Sequence, residues 1–329
     1  MSEMCVTRTP LRISFLGGGS DLPLYTDTGN VGKVVSATID KYVYVWARRR
    51  QDDQINVRYR ENEWVKDIGK LNNEYVREAL KWVKWKGGIE ICSSGDVLLT
   101  ETGLGGSSAF LVGLLTALYD LKLDILYSPF YVAEEAFRLE TGPLGKKVGR
   151  QDHYAAAYGG LRYYEFRGGE NVSQTSFSVD GLRNHSSNLL LIHTAQNRSD
   201  TKEIFSDIYD PENAERTLRS LHILSMLTNR GIESLAMEEY PSFFGLMDDA
   251  WEAKKGLSPR VSSLTIDDVR KKVMNAGAMA AKLLGAGGGG YILAWCPEGK
   301  EAVIKNLHGE FEELPFSFVT HGAEVLFSR

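Results

Sequence analysis

The hydrophobic and polar positions follow a strand period early in the chain and a helix period soon after. Residues 5–15, 34–39 and 42–48 are extended runs or alternations of apolar, β-branched and aromatic residues. Such segments are typical of β-strands, so the pattern predicts that a sheet begins the fold. Residues 72–85 place apolar side chains at a helical spacing with charged residues between them, which predicts an amphipathic helix that ends before Gly87.

The same alternation continues through the rest of the chain. Ser128 and Pro129 predict the start of a helix, because serine caps a helix and proline at the first position needs no N–H partner. Gly, Asn, Ser and Asp are dense between residues 168 and 187, which predicts a boundary between domains of residues 1–175 and 176–329. Mixed strands and helices predict an α+β fold. Helices are predicted over 130–140, 211–230, 240–254, 267–278 and 300–308, and strands over 161–166, 188–195, 284–295 and 317–327.

The composition places the chain among globular proteins. Its 329 residues exceed the usual size of one compact core, and 43% apolar with 25% charged residues lies in the globular range. A net charge of -5 and a pI near 5.8 argue against a nucleic-acid-binding surface, which would be basic. We therefore interpret the clusters Arg48–Arg50 and Lys146–Lys147 as solvated surface.

The cysteines and apolar runs predict a cellular compartment. Cys5, Cys92 and Cys296 are widely separated and lack the spacing of a zinc cluster, which indicates a reducing compartment without disulfides. The sequence begins without a charged-then-apolar leader, and no apolar stretch is long enough to span a bilayer. We therefore expect a cytoplasmic protein that binds neither nucleic acid nor membrane.

The run Thr100–Phe110 is the strongest candidate for a phosphate-binding loop. It contains three glycines and two serines and opens onto the apolar segment 111–118. Glycine lets a ligand approach the backbone, and the first N–H groups of the following helix attract an anion. Ser107 and Ser108 can cap the helix or offer a hydroxyl to a metal or phosphate oxygen. The alternative is a flexible turn before a core helix. The run has neither the lysine that a P-loop requires nor the G-x-G-x-x-G pattern with a downstream acidic ribose ligand.

Three glycine-rich motifs occur in order along the chain. The first motif, residues 8–23, contains Phe-Leu-Gly-Gly-Gly-Ser-Asp; the second, 103–109, is Gly-Leu-Gly-Gly-Ser-Ser-Ala; the third, 284–291, is Leu-Gly-Ala-Gly-Gly-Gly-Gly-Tyr. This ordered trio resembles the three motifs of the GHMP kinase superfamily, which includes galactokinase, homoserine kinase, mevalonate kinase and phosphomevalonate kinase. The Gly-Gly-x-Ser-Asp ending and Leu-Gly-Gly-Ser-Ser are most similar to D-glycero-D-manno-heptose 7-phosphate kinases and the kinase part of fucokinases.

The resemblance implies a fold and a reaction. It implies an N-terminal domain like domain 2 of ribosomal protein S5, a ferredoxin-like C-terminal domain and an active site in the cleft between them. The implied reaction is ATP-dependent phosphorylation of the anomeric hydroxyl of D-glycero-D-manno-heptose 7-phosphate, giving the 1,7-bisphosphate for nucleotide-heptose synthesis. Another fucokinase- or galactokinase-like kinase and a non-catalytic sugar sensor are the alternatives. The implied ligands are ATP, Mg²⁺ and a sugar or sugar phosphate. The resemblance leaves open whether the protein forms a homodimer.

The resemblance also implies which residues hold the nucleotide and the metal. Ser107 matches the family's magnesium-contacting serine, with Ser108 as the alternative, and Glu140 matches its magnesium carboxylate. A hard cation that bridges ATP phosphates needs few protein oxygens. For Glu140, a solvent-facing helix end is the alternative. The ATP phosphates would lie against the second motif, at Gly103, Leu104, Gly105, Gly106, Ser107 and Ser108.

Asp152, within Gly-Arg-Gln-Asp-His, matches the proposed general base of the family. A carboxylate there could accept the proton of a sugar hydroxyl as its oxygen attacks the γ-phosphate. Arg12 matches the cation beside that aspartate and would offset the charge that builds on the transferred group. Because phosphoryl transfer has a loose transition state, positioning and charge supply most of the catalysis. We interpret the neighbouring His153 as packing beside the site.

A last group of residues is assigned to the substrate. Asp21 stands where galactokinases use an aspartate on sugar hydroxyls, although a turn before Leu22 is the alternative. A phosphorylated substrate needs a second anion site, for which a basic segment after a C-terminal strand provides candidates. Its charges could equally lie on the surface at a helix start. The assigned residues are Gly18, Gly19, Ser20 and Asp21 in the first motif, with Arg198 and Lys202 in the basic segment.

Overall fold

The computed structural model describes residues 2–97, 102–123, 127–196 and 201–329, and strands alternate with helices along them. The strands are β1 Met4–Leu16, β2 Gly32–Arg49, β3 Ile55–Arg58, β4 Asn62–Val65, β5 Ile89–Gly95, β6 Leu161–Arg167, β7 Asn171–Phe177, β8 Leu189–His193, β9 Ala280–Leu283, β10 Tyr291–Trp295 and β11 Glu324–Ser328. The helices are α1 Pro23–Thr26, α2 Glu74–Trp82, α3 Gly106–Leu123, α4 Pro129–Thr141, α5 Gln151–Tyr158, α6 Asp180–Asn184, α7 Thr201–Ile208, α8 Ala214–Ala236, α9 Tyr240–Lys255, α10 Leu264–Asn275 and α11 Lys300–Asn306.

The first sheet is organised around the long antiparallel pair β1 and β2. Their register runs from Met4 opposite Arg48 to Leu16 opposite Val35. The first half of β2 also pairs with β6 and its second half with β5, and the sheet continues to β3 and β4 on one side and to β11 on the other. The second half of β1 is buried throughout. The strand that carries the first part of the first motif is therefore a central part of the core.

Helix α3 lies closely against this sheet. A Cβ added at Gly113 would come 2.6 Å from the hydroxyl oxygen of Thr9, and the Thr7 hydroxyl donates to the Gly113 carbonyl at 3.0 Å. Glycine is what allows the helix and strand backbones to approach this closely. The N-terminus of α3, which follows the second motif, is thereby fixed relative to β1.

The second sheet has β10 in its centre, antiparallel to β8 on one side and to β9 on the other. Helix α9 packs on β9 and against α8, and α8 also contacts β2 of the first sheet. Phe15 at the end of β1 packs against Phe243 of α9, with ring centroids 5.3 Å apart. The third motif is the turn between β9 and β10, so this packing sets its position relative to the first motif.

The α+β class is confirmed, but the sheets divide the chain differently from the predicted domains. Residues 171–177 form β7, which pairs with β6, so the division predicted after residue 175 cuts a strand of the first sheet. Its mostly exposed Ser, Gln and Thr side chains lie at the sheet edge, which leaves no hydrophobic pattern to detect. The strand predicted over 317–327 is regular only at β11, and it pairs with β1, with Cys5 opposite Ser328.

In the described parts of the chain, no helix combines the length and the apolar content that a bilayer crossing requires.

Candidate active site

A cleft of about 960 Å³ opens where the three glycine-rich motifs meet. Its walls come from the first motif, the second motif and the start of α3, the loop 144–149, α7 and the start of the third motif. The walls therefore bring together parts of the chain that are far apart in sequence.

The second motif contacts the other two through positions that only glycine can fill. Gly103 has a φ of +77°, and a Cβ there would come 2.5 Å from the carbonyl oxygen of Leu284 in the third motif. Gly105 has a φ of +79°, and its Cβ would come 3.3 Å from the side chain of Arg12. The sequence suggested that these glycines admit a ligand. The structure adds a second reason, because they admit the neighbouring motifs.

Backbone hydrogen bonds fix the second motif in the same place. The Arg12 N–H donates to the Leu104 carbonyl at 3.0 Å, and the Tyr291 N–H donates to the Thr102 carbonyl at 3.1 Å. Helix α3 then begins, with a backbone bond from the Ala109 N–H to the Gly105 carbonyl at 2.9 Å. The first N–H groups of a helix lack intrahelical partners and carry its positive dipole end, so this end of α3 attracts an anion in the cleft.

Arg12 and Asp152 form a bidentate ion pair in the cleft. The Arg12 Nε donates to Oδ1 of Asp152 at 2.8 Å, and its Nη2 donates to Oδ2 at 2.7 Å. The remaining Nη1 donates to the carbonyl of Gly103 at 2.6 Å. The Arg12 side chain is 5% exposed, whereas that of Asp152 is 26% exposed, so the carboxylate is the more accessible partner. One guanidinium thus holds both the predicted base and the phosphate loop.

Asp21 is buried and holds the end of α5 that carries Asp152. Its Oδ2 accepts from the Gln151 N–H at 2.9 Å, and its Oδ1 accepts from the Gly19 N–H at 3.0 Å. Burial raises the pKa of the Asp21 carboxyl, and the N–H group of Gln151 opposes that rise. The Gln151 side chain also links Asp21 to the Ser14 hydroxyl. Asp21 therefore positions α5, while its predicted contact with substrate stays a prediction.

Glu140 is buried at the end of α4, beside the second motif. Its Oε1 accepts from the Tyr75 hydroxyl at 2.9 Å, and its Oε2 accepts from the Ser108 hydroxyl at 3.1 Å and from Nε2 of His153 at 2.6 Å. Burial would raise the pKa of Glu140, but these donated bonds, that of His153 foremost, outweigh it and lower the pKa. With 2% exposure, Glu140 is not the solvent-facing helix end that was the alternative.

These residues fit a nucleotide that carries a hard metal ion. The start of α3 suits phosphate groups, and the hydroxyls of Ser107 and Ser108 lie in the cleft wall with the ionised Glu140. An all-oxygen set with few protein ligands is typical of Mg²⁺ bound to phosphates. Of the two serines, Ser108 is hydrogen-bonded to Glu140, which favours the alternative that the sequence left open.

The structure separates some predicted site residues from the cleft. Ser20 is buried outside it, because its hydroxyl donates to the Lys33 carbonyl at 3.0 Å and accepts from the Lys33 N–H at 2.9 Å. Lys33 thus engages the Ser20 hydroxyl, and the predicted contact of Ser20 with substrate stays a prediction. The Leu104 side chain lies in the core, so only its backbone belongs to the loop. Lys202 lines the cleft, and its predicted contact with substrate stays a prediction, whereas Arg198 lies outside the described residues.

Several lysines line the cleft that the sequence did not place there. Lys146 and Lys147 were interpreted as solvated surface, but their loop leads directly into the segment that carries Asp152. The adjacency of this loop to the Asp152 segment was the signal in the sequence that could have placed the two lysines in the site. Lys254 and Lys282 are buried and also line the cleft. Both were hidden from a pattern-based prediction, because Lys254 is one of two adjacent lysines at the end of an amphipathic helix and Lys282 is a single lysine inside an apolar segment.

A helix N-terminus that suits phosphates, beside a carboxylate that can accept a hydroxyl proton, is the arrangement of a phosphotransferase with an alcohol acceptor. The model of the GHMP kinases N terminal domain matches residues 73–160, and that of the GHMP kinases C terminal matches residues 235–313. Together they span just over half of the chain. The chain belongs to the GHMP kinase superfamily, and it is an ATP-dependent sugar kinase.

Individual relatives extend this similarity over the full length. The D-glycero-alpha-D-manno-heptose 7-phosphate kinase of Campylobacter jejuni is 27% identical over 333 residues, covering 97% of this chain and 97% of that protein. A solved D-glycero-D-manno-heptose 1-phosphate kinase from Bacteroides thetaiotaomicron superposes with a TM-score of 0.78 at 24% identity, covering 98% of each chain. Lactococcus lactis galactokinase complexed with galactose gives 0.75 at 17% identity, covering 98% of this chain and 95% of that one. These structures confirm the predicted two-domain fold.

Replacing Gly149 with alanine should disrupt the site through Asp21. An alanine Cβ would come 1.9 Å from Oδ2 of Asp21, so the carboxylate must move and release the start of α5. We expect Gly149→Ala to lower kcat by about 100-fold or more, since a small misplacement of a catalytic group has an effect of that order. Steady-state ADP release measures kcat, and the thermal unfolding midpoint measures whether the variant is still folded.

The matched control is Gly245→Ala in the interior of α9, where an added Cβ meets nothing within 4 Å. Alanine there should leave the rate unchanged and stabilise the helix slightly. Equal rates for Gly149→Ala and Gly245→Ala would contradict the positioning role of Asp21.

Proposed function

We propose that this protein phosphorylates the anomeric hydroxyl of D-glycero-D-manno-heptose 7-phosphate and forms the 1,7-bisphosphate. The observation that carries the proposal is the Arg12–Asp152 ion pair, whose carboxylate is accessible in the same cleft as the start of α3. The similarity to a heptose 7-phosphate kinase over 97% of the chain supports this choice of sugar.

Asp152 is the proton acceptor in the proposed reaction. As the sugar hydroxyl oxygen bonds to the γ-phosphorus of ATP, the hydroxyl proton passes to a carboxylate oxygen of Asp152. The bond between the γ-phosphorus and the bridging oxygen breaks, and ADP leaves with that oxygen. Arg12 orients the carboxylate through two hydrogen bonds and adds positive charge near the transferred group. Because Arg12 also bonds Gly103, it sets the distance between base and phosphate loop.

Ser108 or Ser107, together with Glu140, would hold Mg²⁺ on the nucleotide phosphates, where the ion supplies charge compensation. The protein part of this site is held in place by hydrogen bonds. Tyr75 and His153 orient the Glu140 carboxylate by hydrogen bonds and keep it ionised. The second-motif glycines, Gly103, Gly105 and Gly106, bring the backbone of the loop into the cleft wall.

The 7-phosphate of the sugar needs its own cations. Lys147 and Lys202 both line the cleft, and Lys147 lies over the ring of Tyr209 at 4.8 Å. Lys146 is paired with Glu74 at 2.7 Å, which makes it a less suitable phosphate partner than its neighbour Lys147. Lysine acts as a point charge for phosphate, so two lysines that line the cleft can hold a phosphorylated substrate better than a neutral sugar.

A panel of acceptors tests the choice of substrate. With ATP and Mg²⁺, we expect kcat/KM for the heptose 7-phosphate to exceed that for fucose and galactose by at least about 100-fold, because the neutral sugars lack the anion that the lysines bind. Coupled ADP detection gives the rates, and product analysis locates the new phosphate. Preferential turnover of fucose or galactose would reassign the enzyme to another GHMP sugar kinase. If sugars of the panel bind but none of them leads to ADP release, the result would favour a non-catalytic sugar sensor.

Asp152→Asn tests the base. The amide keeps the size of the side chain but cannot accept the hydroxyl proton, so kcat should fall by roughly 100- to 10,000-fold. KM for the sugar should change much less, because the variant loses an interaction of the transition state. Asp249→Asn is the control, since Asp249 is 64% exposed and lies 4.0 Å from Arg230. A wild-type kcat for Asp152→Asn would remove the base assignment.

Glu140→Gln tests the metal site. Loss of the carboxylate charge should raise the Mg²⁺ concentration for half-maximal activity by about 10-fold or more, an effect typical of losing a charged group at a metal. Glu135→Gln on the same helix is the control, because Glu135 bonds Trp82 and Tyr119 away from the cleft. The measurement is initial rate against free Mg²⁺ at saturating ATP. The same half-maximal Mg²⁺ concentration for both variants would place the metal elsewhere.

A further inference from the structure

Lys282 joins the third motif to the first. It lies on β9 just before the third motif and is 4% exposed, yet it forms part of the cleft wall. Its Nζ donates to the carbonyl oxygens of Ser14, at 3.0 Å, and Phe15, at 2.6 Å. Both acceptors belong to β1, two and three residues after Arg12. The side chain therefore crosses from the second sheet to the strand that carries the catalytic arginine.

The two carbonyl oxygens match the two N–H groups of a neutral amine. An ammonium has a third N–H, and a buried donor without an acceptor is costly. Among the described residues, the hydrogen bonds of Nζ go to these carbonyls and not to a carboxylate. A protonated Lys282 therefore needs an acceptor that the cleft can supply from a ligand.

The charged groups around Lys282 favour a negative ligand. On β1, Arg12 repels it, and the bidentate partner of Arg12 is Asp152. On α9, Lys254 donates to the Leu283 carbonyl at 3.2 Å, next to Lys282 in sequence.

The other neighbouring elements add no net charge. On α10, Arg270 donates to the Ala281 carbonyl at 2.9 Å and pairs with Asp248 of α9. The residue that faces Lys282 on β10 is the apolar Leu293. Arg12 and Lys254 therefore bring two basic side chains to the same cleft wall as Lys282, and basic side chains there attract a phosphate.

We propose that Lys282 is a further phosphate-binding residue, which bonds Ser14 and Phe15 and takes up a proton to donate its third N–H to an ATP phosphate beside Arg12. This rests on the use of ATP by the kinase and does not depend on which sugar is the acceptor. The proton comes from solvent and adds to the lone pair of the amine nitrogen. When the phosphate leaves, the proton returns to solvent.

The electrostatics support this coupling. Burial lowers the pKa of Lys282 to about 7, and repulsion by Arg12 acts in the same direction. Above that pH the ligand-free lysine is mostly neutral, and a bound phosphate raises its pKa again by favouring the charged form. Nucleotide binding should therefore draw a proton from solvent, and the affinity should fall as pH rises above about 7.

Calorimetric titration with the Mg²⁺ complex of the β,γ-imido analogue of ATP tests the proposal without any sugar. Titrations at about pH 8 in HEPES and in Tris, which differ in ionisation enthalpy, should give an uptake of about one proton per nucleotide for the wild type. Lys282→Met should lose that uptake. The substitution should also lower kcat/KM for ATP by roughly 100-fold. In the variant, kcat/KM should no longer decrease as the pH rises from about 7 to about 9.

Lys300→Met is the matched control, because Lys300 pairs with Glu313 at 2.7 Å and is not part of the cleft wall. It should keep the wild-type proton uptake and rate. Lys282→Gln serves if the methionine variant does not fold, as judged by thermal unfolding. Equal proton uptake by the wild type and a folded Lys282 variant would overturn the proposal. Because the probe is the nucleotide alone, failure of the heptose assay leaves this result unaffected.

Discussion

The site depends on one contact, the insertion of the Arg12 guanidinium between α5 and the phosphate loop. Its three nitrogens bond both carboxylate oxygens of Asp152 and the carbonyl of Gly103. The missing Cβ of Gly105 leaves room for this side chain. An arginine suits this contact better than a lysine, because separate nitrogens of its planar fork bond both carboxylate oxygens in parallel while a third nitrogen reaches the loop. The position of the proposed base relative to the second motif is thus set by a strand at the centre of the first sheet.

Buried polar groups support this contact from several sides. Asp21 holds the start of α5, Glu140 is held by Tyr75, Ser108 and His153, and Lys282 bonds the end of β1. Each of these groups is nearly inaccessible to solvent and hydrogen-bonded. Such networks are costly when incomplete, so they hold one arrangement of the cleft. An enzyme that relies on positioning and charge gains most from rigidity of this kind.

The sequence was sufficient to predict the class of fold and to locate the three motifs, because glycine-rich runs are recognisable without knowledge of tertiary contacts. It was not sufficient where position depends on tertiary contact. Ser20 follows the glycines as a ligand-binding serine would, but Lys33 occupies its hydroxyl. Lys146 and Lys147 look like surface charges, and only the folded loop turns them into the cleft wall. β7 is polar because it lies at a sheet edge, so no periodicity marks it.

The pairing of β11 with β1 has a consequence for biosynthesis. The two strands are separated by almost the entire described chain, yet they are neighbours in the first sheet. On the ribosome, β1 can pair with β2 early, but the other edge of its first half, at Cys5–Arg8, stays open until β11 has emerged from the exit tunnel. An unpaired strand edge invites association with other nascent chains. We expect chaperones that shield exposed β-edges to matter more for this protein than for one whose first sheet closes locally.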